Sequence, residues 1–286
     1  LSQIDKAGRL SRVEVDAMIE NGAGMTTHDF GLGEVPAHQH SNGGGWVADT
    51  AHVDATAYVG PEALVGGRAW VGGEARVEDS ARVTDLAYVG PEALVGGRAR
   101  VEGSARVEDS ARVTDLAWVG GEALVGGRAW VGGEARVKGS ALVEDSARVG
   151  GRASVEDSAW VTGSARVGGE ARVGVEARVG GEATVGETLE GIDLSDVPVV
   201  EDLDRKVLAA LESGAVDMTT WHCGTTHCRA GTAIDLAGDA GYELEERVGP
   251  WLAGAMIYVK STGRREVPDF LASDDDARAD IERCAR

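Results

Sequence analysis

The chain has 286 residues, with 28 Lys and Arg against 48 Asp and Glu, for a formal charge of −20. That balance excludes a protein that grips a nucleic-acid backbone by displacing its counterions, and it favours solubility. Gly is abundant at 42 residues and Phe is limited to 2, which excludes a conventional core of large side chains except near the two ends. The acid excess lies mainly in residues 189–286, where Asp and Glu are about twice as many as Lys and Arg. No apolar run reaches the roughly 18 residues of a spanning helix and no signal peptide opens the chain, so no membrane partner is expected. Three clustered cysteines, Cys223, Cys228 and Cys284, are too few for a disulfide framework and point to a reducing, cytoplasmic setting.

Residues 1–44 read as an N-terminal cap. In the stretch 11–24, apolar residues at Val13, Val15, Met18 and Ile19 predict a short helix ending at Gly22 or Gly24. The following "MTTHDFGLGEVPAHQHSNGGG" reads as a loop that covers the open edge of whatever comes next. It carries His28, His38 and His40. A His-x-His pair can hold a metal ion, but Gly-rich loop histidines with no neighbouring Cys are more often solvated.

From Ala51 the chain divides into six-residue units, each with Ala first and Val third: AHVDAT, AYVGPE, ALVGGR, AWVGGE, and onward to ATVGET at 183–188. The preceding unit GWVADT keeps Val47 but has Gly45 for Ala, so the pattern begins at 45. A period of six fits neither a helix nor a single strand. It fits a short strand followed by a turn, stacked so that Val points inward and Ala sits in the corner.

These units resemble the hexapeptide repeat of the bacterial transferase hexapeptide superfamily. The resemblance covers about half the chain and implies a left-handed parallel β-helix with three hexads per coil. The expected fold is therefore mainly β: about eight coils over 45–188, some 38 Å of prism at ~4.8 Å per coil. Relatives of this kind are mostly trimeric acyltransferases that use a catalytic histidine and an acyl-CoA or acyl carrier. A homotrimer is implied by the same resemblance. Within the repeat, however, the sole histidine is His52, and no inserted loop interrupts the units from Ala51 to Thr188. The catalytic histidine therefore does not carry over.

Two further features belong to the repeat. The stretch 75–99 returns at 105–129, thirty residues on, with Tyr88 replaced by Trp118 and Pro91 by Gly121. Thirty residues are five hexads and not a whole number of three-hexad coils, so the copy is rotated by one face. Length and rigidity then matter more than any constellation fixed on one wall. Taking every third hexad, one face reads His52, Trp70, Tyr88, Arg106, Leu124, Leu142, Trp160 and Arg178, the most apolar of the three. Its residues Trp70, Tyr88, Leu124, Leu142 and Trp160 are candidates for an interface, in self-association or with a protein partner. The competing reading is that isolated large side chains shield a Gly-rich wall.

Residues 189–286 read as a small α-helical domain. "EDLDRKVLAALESGAV" predicts a helix stopping at Gly214, with later helices at 241–248, 250–260 and 273–285. The helix ends at 17–28 and 209–222 echo each other. In "WHCGTTHCRAG", residues 221–231, the side chains His222, Cys223, His227 and Cys228 could hold zinc, although adjacent ligands seldom reach one ion. The alternative is two buried thiols with Thr226 capping a helix that begins near His227. Apart from that zinc, no cofactor is expected. This segment and "PDFLAS" also resemble a module of uncharacterised phage and prophage proteins, which implies a virion location if the chain is phage-encoded.

The sequence thus favours a non-catalytic structural or interaction protein, a stiff β-helix presenting a helical domain, with no catalytic residue. Two alternatives stand beside it: an acyltransferase-like enzyme using acyl-CoA near His28, His38, His40 or His52, and an acidic inhibitor that mimics DNA.

Overall fold

The computed structural model describes residues 26–31, 33–214, 216 and 228–286. The expected helix at 11–24 lies outside them. The chain forms two compact units, Leu1–Gly150 and Gly151–Arg286.

In the first unit, strands β1 (Thr27–Asp29), β2 (Glu34–Gln39) and β3 (Trp46–Ala48) precede two-residue strands that run from His52–Val53 to Arg148–Val149. Each two-residue strand is the second and third position of one hexad. It pairs in parallel with the strand three hexads on, as Trp70 with Tyr88 and Tyr88 with Arg106, so Val meets Val in every coil. The Ala and Val columns from Ala57 to Val149 are fully buried. This is the parallel β-helix that the six-residue period predicts, three strands to a coil.

The hydrogen bonds explain why six residues suffice. The second and fourth amides of a hexad donate to carbonyls one coil on, as Trp70 to Ala87 and Gly72 to Val89, both at 2.9 Å. The next Ala closes the turn, as Ala75 N–H to the Gly72 carbonyl at 3.2 Å. Where the fifth position takes a positive φ it is Gly or Asp, the residues that tolerate a left-handed backbone best, with Val175 at φ 55° as an exception; Asp79 has φ 52° and Asp85 62°. Pro91 cannot adopt that conformation, and in its hexad the left-handed residue is Glu92, φ 65°.

The stretch expected to be a capping loop forms strands instead. β1 pairs antiparallel with β2, and β2 pairs antiparallel with β3, His38 lying opposite Val47. An exposed coil edge has a row of free amides and carbonyls, and an antiparallel strand satisfies them better than a loop would. Phe30, Ala37 and Ala48 form a small core with Trp46 and Leu64 packed against it.

The copied segment is longer than its 75–99 core suggests. Residues 57–86 and 87–116 differ at three positions only: Trp70 against Arg100, Gly72 against Glu102, and Glu74 against Ser104.

In the second unit the hexads continue, Ser154–Val155 pairing with Arg172–Val173, Trp160–Val161 with Arg178–Val179, and Arg166–Val167 with Thr184–Val185. A last strand, Leu189–Glu190, turns back antiparallel on Thr184–Val185, and Leu189 N–H donates to the Arg265 carbonyl at 3.0 Å. Helices follow: α1 (Leu203–Glu212), α2 (Arg229–Leu236), α3 (Asp239–Val248), α4 (Pro250–Thr262) and α5 (Asp274–Cys284). The α4 helix starts with Pro250 at its first turn, is buried from Trp251 to Val259, and ends at left-handed Gly263. Gly254 lets it approach α2, since a Cβ there would lie 2.7 Å from the Ala230 side chain. Ser273 caps α5, accepting from Asp276 N–H, with Asp274, Asp275 and Asp276 in the first turn facing the positive end of the helix dipole. The helix expected to begin near His227 begins at Arg229, with Cys228 as its N-cap residue.

Candidate functional site

The apolar stripe is assembled as the every-third-hexad reading predicts. In the first unit His52, Trp70, Tyr88, Arg106, Leu124 and Leu142 stand one above another on one sheet. Trp70 is about half exposed at 49%, while Tyr88, Leu124 and Leu142 are half-buried. Second and fourth positions of a hexad project from the same side of the strand, so a large second residue lies on the fourth. A Cβ at Gly72, Gly90 or Gly126 would come within 3.1–3.2 Å of Trp70, Tyr88 or Leu124. The His52 ring packs on Trp70 at 4.3 Å. The Arg106 guanidinium sits over Tyr88 at 5.5 Å and pairs with Glu108, which divides the stripe into a patch at 52–88 and another at 124–142. In the second unit Trp160 is 45% exposed and Arg178 stacks on it at 4.9 Å.

Each described histidine has its own surroundings. His28 stacks on Trp46 at 4.5 Å with the rings nearly parallel, and meets Phe30 edge-on. His38 Nδ1 lies 2.8 Å from Asp49 Oδ1, both exposed. His40 is buried, its Nε2 3.1 Å from the Ala57 carbonyl. His52 Nε2 lies 3.0 Å from Asp54 Oδ1. Asp54 also accepts from Gly73 N–H at 2.7 Å, and that backbone bond, followed by His52, holds its carboxyl below the usual range. Among the described residues no three His, Cys, Asp or Glu side chains gather in a metal-holding group. His222, Cys223, His227 and Thr226 lie outside the described residues. Cys228 is buried at the start of α2, and burial pushes its thiol pKa up.

A second polar centre, in the helical part of the second unit, escaped the sequence reading. Arg229 is 1% exposed. Its Nε donates to Tyr258 Oη at 3.1 Å and its Nη1 to Asp280 Oδ2 at 2.6 Å, with the guanidinium over the Tyr258 ring at 5.1 Å. Burial alone would lower the Arg229 pKa, but Tyr258 and Asp280 outweigh it and the group stays charged. Burial raises the Tyr258 phenol to about 12, so it is neutral near pH 7 and Asp280 is the compensating charge. Burial opposes ionisation of Asp280 as well, yet the bond and charge of Arg229, with help from Arg283, hold its pKa low. The partners are 29 and 51 residues from Arg229, so no local pattern announces them. A cleft of about 570 Å³ opens beside this network, lined by Arg264, Asp276, Arg283 and Cys284 among others.

No protein-family model matches the chain, and no curated protein matches it. Among solved structures, one match is a mutant of perosamine N-acetyltransferase from Caulobacter crescentus in complex with CoA and GDP-perosamine. Identity is 16% and the TM-score 0.22; the match covers 51% of this chain and 56% of that one, so this chain spans a little over half of the enzyme's length.

Proposed function

We propose that the protein is a non-catalytic interaction scaffold, a hexapeptide β-helix with a helical region that contacts a protein partner or a second copy. The observation that supports this reading is what survives the copying of residues 57–86. Arg76, on the sheet with Tyr58 and Leu94, has as its copy Arg106, on the sheet with Tyr88 and Leu124. The local interactions move with it. Arg76 pairs with Glu78 and sits over Tyr58; Arg106 pairs with Glu108 and sits over Tyr88. Ser80 donates to Glu62 at 2.9 Å and Ser110 to Glu92 at 3.0 Å. A wall whose interactions are complete within a hexad and its neighbouring coils can be lengthened or rotated without loss, as a spacer or display surface requires. The stripe patches at Trp70–Tyr88 and Leu124–Leu142, and Trp160 in the second unit, are the contact surfaces in this reading.

The second reading is an acyltransferase, and the His38–Asp49 pair favours it. A carboxylate on Nδ1 orients the imidazole and leaves Nε2 free to take a proton from an acceptor, the arrangement of a general base. Titration calorimetry with acetyl-CoA separates the two. The scaffold predicts no saturable heat; saturable binding that is lost in His38→Ala overturns it. The DNA-mimic reading is weakened by arginines that alternate with the carboxylates and pair with them, as Arg76 and Arg106 do.

A further inference from the structure

The three differences between residues 57–86 and 87–116 all fall in one hexad, and two of them, Arg100 and Glu102, line a groove of about 590 Å³ on the first unit. Its other lining residues are Arg98, Leu116, Trp118, Glu134 and Arg136. Trp118 is the floor. Its indole lies on Gly120, where a Cβ would be 3.1 Å from the ring, and it is half-buried, so one face of the indole is turned to the wall. Arg100 and Arg136 are its neighbours in the coils before and after. Arg98, Leu116 and Glu134 lie at the adjoining corner, with Leu116 44% exposed.

The groove's arginines differ from Arg76 and Arg106, which are held by a neighbouring carboxylate. Arg76 and Arg106 pair with the acid two residues on, but Arg100, with Glu102 at the same spacing, forms no ion pair among the described residues, nor do Arg98 and Arg136. The Trp130 indole N–H donates to Thr114 Oγ1 at 3.1 Å, whereas the Trp118 indole N–H has no such partner among the described residues.

We propose that this groove binds an acidic saccharide, a chain containing hexuronic acid residues. A flat indole offers a stacking surface to the C–H face of a pyranose ring. Arginine donors and glutamate acceptors at the rim suit hydroxyls, which donate and accept, and an arginine fork matches a single carboxylate. A nucleotide fits less well: it gathers its charge on one phosphate group, which would meet Glu102 and Glu134, whereas a uronate chain spaces one carboxylate per ring. The groove crosses three coils, two spacings of ~4.8 Å, about the length of a disaccharide. The first copy has Trp70 and Gly72 where this one has Arg100 and Glu102, so it lacks both rim groups.

The test is titration calorimetry of the full chain with di- and tetragalacturonate, with galactobiose and AMP as controls. The double substitution Arg100→Trp with Glu102→Gly rebuilds a hexad face that already folds in the first copy, and Trp118→Ala removes the floor; unfolding curves confirm that both variants are folded. Saturable galacturonate binding that both variants weaken at least tenfold, with galactobiose and AMP weaker, is the expected result. No saturable galacturonate binding, binding that neither variant changes, or equal binding of either control overturns the proposal.

Discussion

The fifth position of the hexad carries two burdens at once. Its backbone is left-handed, and its amide is outside the set of N–H groups that the second, fourth and sixth positions donate along the ladder. Asp meets the first at its own position and the second for the fifth-position amide one coil on. Asp85 tolerates φ 62° and its Oδ2 accepts from Gly103 N–H, one coil on, at 3.1 Å; Asp79, Asp109 and Asp115 do the same for Gly97, Gly127 and Gly133. Asp85→Ala keeps the strain and removes the acceptor, and is expected to cost about 1–3 kcal/mol in urea unfolding. Asp85→Gly removes the acceptor but relieves the strain, and is expected to cost less than Asp85→Ala. At Asp280 the expectation concerns pH. Its pKa is lowered in the folded state, so its contribution to stability is present above the ordinary carboxylate range and is lost as pH falls through the depressed folded value. Asp280→Asn leaves the Arg229 charge buried without its counter-ion, and is expected to cost about 3 kcal/mol at pH 7 and to flatten the acid limb of the stability profile.

At the scale of the element, what could be read from sequence depends on how local the cause is. The β-helix was legible residue by residue because its interactions recur every six and eighteen positions. The later helices were legible to within a few residues, and Gly214 marked the stop of the first. The N-terminal strands were not: His28, Pro36 and the glycines look like a loop, and only the unpaired edge of the first coil makes them strands. The Arg229–Asp280–Tyr258 network was not legible either, because it joins three helices distant in sequence. One signal was present and unread. Large apolar residues at the second hexad position have Gly at the fourth in eight of ten units from 51 to 188, whereas Arg there has Gly in four of ten. Sterics explain it: a Cβ at Gly132 would lie 2.1 Å from the Trp130 ring. Gly132→Ala is therefore expected to cost about 1–3 kcal/mol. In a Trp130→Arg background the cost should shrink, giving a coupling of at least about 1 kcal/mol in a double-mutant cycle measured by denaturant unfolding.

For the whole molecule, the account rests on exchangeable hexads: environments set by the neighbouring coils and not by the face on which a hexad happens to lie. The twin segments allow a stringent test, because 81–86 and 111–116 are the same hexad and deletion of 87–116 joins Leu86 to Ala117 just as Leu116 joins it now. The shortened chain has lost five hexads, and everything beyond the junction has moved by one face. Far-UV circular dichroism followed through thermal unfolding is the most direct measurement. The account predicts an unchanged β spectrum and a single cooperative transition within a few degrees of the intact chain. A spectrum without β structure, or a transition that has lost its cooperativity, would contradict it.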